Sequence, residues 1–478
     1  MKELHLPWLL ELMIAIPFFS WIASIRIRLP QNVSPFALAS SLLTLLCSVI
    51  AWIDFAYLHT YEAHDHWDFL SKVLGFNVLV IDELNAPLFP LASLIFFATF
   101  LVTLKSKASK FSFRTALLSQ SITLATLACH SPWIVIGLLI VGTLPLAWEI
   151  QNRKRSPRVF LFHMGLFGFL LVSGMGLIQF SDEGSWHHVG VGLLGLAVLL
   201  RNGVAPIHCW LTDLFEKASF GSSLLFVTPM LGAYATMRLF VPVAPDWMLQ
   251  WIAVMSLATA VYASGMALIQ REARRMFCFL FLSHSSLVLV GLETATPLGL
   301  AGALCVWLSI GLAMTGFGLM LRCVESRTGR LRLDVHHGLF DHMPSLAAFF
   351  LLTGLASVGF PGTIGFIASE LLVDSTVDIS PVGGTLLILS AALNGMCVMQ
   401  AFFRIFTGTK HHASIPLTSQ PSEKWAAAIF AILIVGNGLV PQLGVESRFQ
   451  AAIDLLEHRS STQGQVVEPA PNANTESH

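Results

Sequence analysis

Arg201 closes an otherwise apolar run, and Gly203, Pro206 and His208 follow it closely, then Asp213, Glu216 and Lys217, in the stretch LLRNGVAPIHCWLTDLFEK. A second stretch, VGFPGTIGFIASELL, sets Gly359, Pro361, Gly362 and Gly365 before Glu370. Both read as apolar helix, Gly/Pro break, short re-entry and then an acid. In hydrocarbon each freed backbone group and each charge is costly, so a helix that merely anchors a chain has no reason to carry them. Interrupted helices with ionisable groups suit the passage of ions, which sheltered backbone and water can line. Breaks are therefore expected at Gly203/Pro206 and at Pro361/Gly362, with Arg201, His208, Glu216 and Glu370 as the charged or titrating groups beside them.

Each of these residues has a plainer reading. Arg201 would be a fixed charge on an ion path, or an arginine snorkelling to the interface. Glu370, among Ile367, Leu371 and Leu372, would bind and release a proton in apolar surroundings, or sit at the outer end of a helix. His284 would relay protons, since imidazole titrates near physiological pH, or hydrogen-bond across to a neighbouring helix; His163 is the weaker case of the same kind. The outer-loop run HTYEAHDHWD brings His59, Glu62, His64, Asp65 and His66 together without a defined ligand spacing, so it reads as a solvated loop and no metal site is assigned. His336, His337, His411 and His412 fall in basic loops and are given no chemistry. Seven cysteines stand singly in or beside apolar runs, without CxxC pairs, as small buried residues do.

The elements that would position these groups follow from composition. Of the 478 residues 55% are hydrophobic and only 12% charged, against about 25% charged in ordinary soluble domains. The 27 basic and 28 acidic residues nearly cancel, so no field exists to draw in nucleic acid. Apolar runs long enough to cross hydrocarbon number about fourteen. The first, Leu6 to Ile27, lacks the flanks of a cleavable signal peptide. Short cytoplasmic loops concentrate Lys and Arg, and here the basic loops alternate strictly: Arg26 and Arg28; Lys105, Lys107, Lys110 and Arg114; Arg153 to Arg158; Arg271 to Arg275; Arg322 to Arg332; and Arg404, Lys410 and Lys424. Among the alternate loops Lys72 is the exception. Both termini are thereby expected on the outer face.

The fold class is accordingly an all-α polytopic membrane protein, with two inverted five-helix repeats, each holding one broken helix. The expected division is 1–112 for three N-terminal spans, 113–241 for the first repeat with broken span 7, 242–407 for the second with broken span 12, 408–452 for span 14 and its flanks, and 453–478 for a disordered polar tail.

Four stretches together carry a family resemblance: RNGVAPIHCWLTDLFE with GAYATMRLF, QREARRMFCFLFLSHSSLVLVG, GFGLMLRCVESRTGRLRLDVHHGLF and SVGFPGTIGFIASELL. With these in order, the chain resembles the antiporter-type membrane subunits of proton-pumping NADH:quinone oxidoreductase (complex I), most closely subunit M (chain 4). The resemblance implies a proton pathway in which Arg201 stands at the span-7 lysine position, His284 in the matching Ser-His motif of span 10, and Glu370 at the span-12 acid; His208 and Glu216, which follow Arg201 in sequence, are added to it as candidates. It also exposes departures. Span 5, read as PWIVIGLLIVGTLPLAW, has Ile140 near the expected glutamate; Phe226 and Met230 occupy the span-8 base positions, and Ile310 the span-11 histidine. An arginine holds its proton where a buried lysine releases one.

The resemblance further implies a multi-subunit assembly in the inner cell membrane, with other membrane subunits and the bilayer as partners, quinone and NADH reached only through partner subunits, no cofactor in this chain, and redox chemistry located elsewhere. Two alternatives stay open: the membrane subunit of an inorganic-carbon uptake complex or cation/proton antiporter, and a structural spacer that no longer conducts.

Overall fold

The computed structural model describes residues 9–27, 30–58, 78–104, 111–180, 185–292, 296–409 and 417–464. The His59–His66 cluster, Lys72, Arg28, Lys105, Lys107, Lys110, Lys410, His411 and His412 lie outside them, as does the tail from 465 onward.

The described chain is helical throughout: α1 Leu9–Arg26, α2 Pro30–Ile53, α3 Leu88–Leu101, α4 Phe113–Ala128, α5 Pro132–Val141, α6 Leu144–Asn152, α7 Arg158–Phe180, α8 Ser185–Asn202, α9 Cys209–Lys217, α10 Phe220–Val227, α11 Leu231–Ala235, α12 Asp246–Leu268, α13 Ala273–Val290, α14 Pro297–Thr328, α15 Pro344–Val358, α16 Ile364–Ile379, α17 Pro381–Phe406, α18 Pro421–Leu439 and α19 Gln442–Thr462. Among the described residues ten helices are long and apolar enough to cross a membrane, with α5–α6 and α10–α11 each counted as one. The other expected spans fall on shorter or interrupted helices: α3, α4, α8 with α9, and α15 with α16.

Burial sorts these helices. Of the most apolar stretch of α14, 94% is buried, against 17% for α1. The span from α10 through Phe240 and helix α13 are also enclosed on most sides. Helices α1, α2, α7, α17 and α18 form the outer wall, turning Phe19, Leu46, Phe169, Ile388 and Ile432 outward, as lipid-facing helices do. The enclosed helices therefore carry the region where polar groups can be sheltered.

Charges tie the bundle at both ends. On the side of the arginine-rich loops, Arg274 pairs with Glu325 at 2.7 Å and Arg327 grips Glu423 through both oxygens, at 2.7 and 2.6 Å. Arg322 reaches across to the Thr99 carbonyl and the Thr103 hydroxyl of the α3 end. On the opposite side Arg238 pairs with Asp82, and Arg459 with Asp246.

The stretch beginning at 453, expected to be a disordered tail, starts as the second half of α19, which runs unbroken to Thr462. Its hold is long-range: Arg448 donates to the carbonyls of Glu83 and Leu84, and Arg459 to that of Ala244. These polar contacts add to the apolar burial of Ala451, Ala452 and Leu455 in the same helix.

Candidate functional site

Both predicted helix breaks are present. The first separates α8 from α9: Gly203 has φ +72° and Ala205–Pro206 is a cis peptide. Its freed backbone is satisfied inside the protein, as the absence of water at depth demands. The Val204 N–H returns to the Leu199 carbonyl at 3.0 Å, the Ala205 N–H donates to Thr259 Oγ1 at 3.0 Å, and the Trp210 indole donates to the Leu200 carbonyl at 2.9 Å. The second break separates α15 from α16, with φ +85° at Gly362. There Phe360, Pro361 and Gly362 are exposed, and Gly438 of α18 packs against the Gly362 carbonyl.

A third break lies in span 8, where Met230 adopts φ 52° between α10 and α11. A non-glycine residue held there costs about 1–3 kcal/mol and persists only where its surroundings dictate it. The sequence signal was Pro229, which removes a helical N–H. A π-helical turn, Thr236–Phe240, follows.

Arg201 sits where these elements meet. It is 6% exposed, with its guanidinium 4.2 Å from the centre of the Phe226 ring and 5.7 Å from that of Trp210. Stacking of this kind holds a cation in a desolvated place. Its Nε has no hydrogen-bond partner. The approach of span 8 depends on Gly232: a Cβ there would lie 2.6 Å from Asn202 Oδ1 and 3.2 Å from Arg201 Cγ.

Arg201 borders two small cavities. One, with about 30 Å³ of space for water-sized spheres, is lined by Thr115, Ser119, Thr123, Ser222, Glu149 and Arg201 among others. The other, about 20 Å³, lies between Arg201, Asn202, Met230 and Ser285. Spaces of this size have room for a water or two, which the hydroxyls and charged groups among their otherwise apolar linings could bind. Two residues before Ser285 on the same helix, the Ser283 hydroxyl donates to the Ala260 carbonyl at 2.8 Å and accepts from Asn394 Nδ2 at 2.9 Å, with Ser390 at 3.2 Å. Asn394 Oδ1 is left without a donor.

Glu149, at the very end of the 132–149 run expected as span 5, was missed because the acid was sought only as far as Trp148. It is 3% exposed, accepts from the Ser219 N–H at 3.2 Å, and lies 4.0 Å from Arg153 at the head of a basic loop. Span 5 therefore has a buried acid after all, on α6 beyond the Ile140 position. The available signal was an acid directly following an apolar run, in the same turn as the loop arginines.

His284 is 2% exposed on α13 with Nε2 unpartnered, beside the Ser283–Asn394 cluster in sequence but not among the cavity linings. His208 caps α9, half-buried against Tyr262 and Phe279, with its Nδ1 unpartnered. Glu216 is exposed on α9. Glu370 is exposed on the outer face of α16, with Asp374 and Asp378 one and two turns on; it is not brought together with Arg201 or His284. Its apolar sequence neighbours pack inward instead, Leu372 at 2% exposure. His163 Nε2 lies 3.4 Å from Cys209 Sγ. Among the described residues no three His, Cys, Asp or Glu side chains gather as metal ligands.

The family model described as NADH:quinone oxidoreductase/Mrp antiporter, transmembrane, matches residues 159–394, a stretch that holds Arg201, His284, Glu370 and all three breaks. Over that stretch the chain is similar to this family. Among its curated relatives, an NAD(P)H-quinone oxidoreductase chain 4 of a Synechococcus species is 27% identical over 373 residues, covering 70% of this chain and 69% of the relative. The fold matches a chain in the structure of the Mrp complex from a Dietzia species, with TM-score 0.82 at 17% identity, over 96% of this chain and 99% of that one. It also matches a chain of respiratory complex I from Thermus thermophilus, with TM-score 0.80 at 18% identity, over 95% and 100%. Glu149 lies outside the matched stretch, so the acid that completes the Arg201 cavity is not one the family model supplies.

Proposed function

We propose that this chain is a proton-translocating membrane-arm subunit of an NADH:quinone oxidoreductase-type complex, in which redox energy released in partner subunits drives protons past Arg201. The observation that carries the reading is the cavity shared by Glu149 and Arg201, continued on the far side of Arg201 toward Ser285.

The chemistry follows from the groups present. Arginine does not give up its proton, so the moving proton travels on water and on Glu149, whose carboxylate opens toward Arg153 and the loop water beyond. Arg201 supplies a fixed positive charge in the water file, and an excess proton must overcome that charge to pass. A conformational change that brings the guanidinium against the Glu149 carboxylate neutralises the barrier and opens the route to Ser285, Ser283 and Asn394. His284, Glu370, His208 and Glu216 enter as further groups of the path, with Glu370 completed by whichever membrane subunit covers α16. Other membrane subunits and the bilayer are the direct partners; quinone and NADH act through partner chains, and this chain needs no cofactor of its own. The excess of arginine and lysine on alternate loops supports a cytoplasmic placement for those loops, in the inner cell membrane, with both termini outside.

The test is Arg201→Ala in the whole complex, reconstituted in liposomes. Proton uptake per NADH oxidised falls, while uncoupled NADH oxidation persists. Unchanged proton uptake would instead support a subunit that only spaces its neighbours.

A further inference from the structure

A crevice of about 350 Å³ opens between α2, α3, α14, α16, α18 and α19, on the side away from the arginine-rich loops. Its walls are apolar, formed by Leu45, Leu91, Leu94, Leu312 and Leu433, and its polar end is Arg448 with Ser447. The volume falls in the range of small-molecule sites, about 300–1,000 Å³. Pro87 to Leu94 on α3 and Ile429 to Asn437 on α18 border it along the helix axes, a run of roughly 10–12 Å at about 1.5 Å per residue.

Arg448 is 1% exposed. Its Nη1 donates to the Leu84 carbonyl at 3.1 Å, and its Nη2 to the Glu83 carbonyl and to Ser447 Oγ. Its Nε–H has no acceptor. A buried charged donor left without an acceptor is costly enough that such groups normally have one. The Glu83 carboxylate, which accepts from Ser447 at 3.1 Å, stands beside the same arginine.

We propose that the crevice binds one acyl chain of a membrane phospholipid from the leaflet opposite the basic loops, with a phosphate oxygen accepting from Arg448 Nε–H. The apolar depth along the helix axes fits a chain lying parallel to them. The pairing of a cation with a neighbouring carboxylate fits a zwitterionic headgroup: phosphate on Arg448, ammonium toward Glu83. Phosphatidylethanolamine meets both, whereas phosphatidylglycerol, with its phosphate on Arg448, offers Glu83 only neutral hydroxyls. This site is independent of the Arg201 cavity and stands or falls separately from the proton reading.

The test uses the intact complex in lipid nanodiscs containing phosphatidylethanolamine with a diazirine on its acyl chain, and in a second set phosphatidylglycerol with the same label. Irradiation is expected to mark the peptides of Leu91, Leu312 and Leu433 about tenfold more than those of the lipid-facing Phe162 and Phe169, a ratio equal to about 1.4 kcal/mol. Leu312→Trp, which fills the crevice, removes that excess and leaves the Phe169 labelling intact; Arg448→Gln lowers it for phosphatidylethanolamine. Equal labelling of crevice and outer wall overturns the proposal, as does indifference to Leu312→Trp. Equal labelling by the two lipids overturns the headgroup assignment. Labelling of the isolated chain but not of the complex would show that a partner subunit fills the crevice instead.

Discussion

Glu149 and Arg201 line one water-sized cavity without closing into a salt bridge. The carboxylate is held by the Ser219 N–H on one side, and the guanidinium by the faces of Phe226 and Trp210 on the other. Two opposite charges kept apart across a small cavity are set up for a change of distance, and such a change would alter the field that a proton meets there.

Replacing Arg201 with lysine keeps the positive charge and adds a proton that can be released. Arg201→Lys is expected to retain pumping in reconstituted complex, whereas Arg201→Met, similar in bulk and uncharged, loses it. Equal pumping by the lysine and methionine variants would contradict a role for the charge.

Gly232→Ala forces a methyl group against Asn202 Oδ1 and the Arg201 stem. Overpacking of this kind costs about 1–3 kcal/mol. The expected result is a lower unfolding temperature together with reduced proton uptake, measured on the same preparation; a variant with wild-type values for both would show that the contact relaxes freely.

The Arg327–Glu423 pair is bidentate and nearly dry, its side chains 7% and 0% exposed. Removing one partner leaves a buried charge, which costs about 3–5 kcal/mol, whereas replacing both with apolar residues restores much of the loss. Glu423→Gln is therefore expected to lower thermal stability more than the Arg327→Met/Glu423→Met double variant. The reverse order would mark the pair as solvent-screened.

Glu83, in the loop before α3, has its carboxyl pushed up from its ordinary value, chiefly because partial burial disfavours the charged form. A group that binds its proton more tightly when folded adds stability below its unfolded value, and that stability is lost as pH rises through the raised folded value. Glu83→Gln is expected to flatten the stability profile upward from about pH 4.5 and to stabilise the chain at neutral pH. A profile unchanged by the substitution would remove Glu83 as its source.

The breaks at Gly203/Pro206 and Pro361/Gly362 were legible because glycine and proline act on their own backbone, whatever surrounds them. Helix positions were legible because hydropathy is a local sum. Glu149 was not, because an acid beside Arg153 and Lys154 reads as the interface end of a span; only the packing of α6 against Ser219 and Ser222 turns it inward. The outward face of Glu370 was hidden too, since its neighbours Ile367, Leu371 and Leu372 say that α16 is apolar without saying which side is covered. The order of α19 was out of reach, resting on Arg448 and Arg459 meeting loops hundreds of residues earlier and on a short apolar set, Ala451, Ala452 and Leu455, too sparse to read as a buried face.

The central claim is that protons cross this chain by way of the Glu149–Arg201 cavity. The direct measurement is the number of protons translocated per NADH oxidised by the whole complex carrying Glu149→Gln, in sealed liposomes, with NADH oxidation itself checked under uncoupled conditions. The account predicts a reduced ratio with oxidation still running; an undiminished ratio would contradict it.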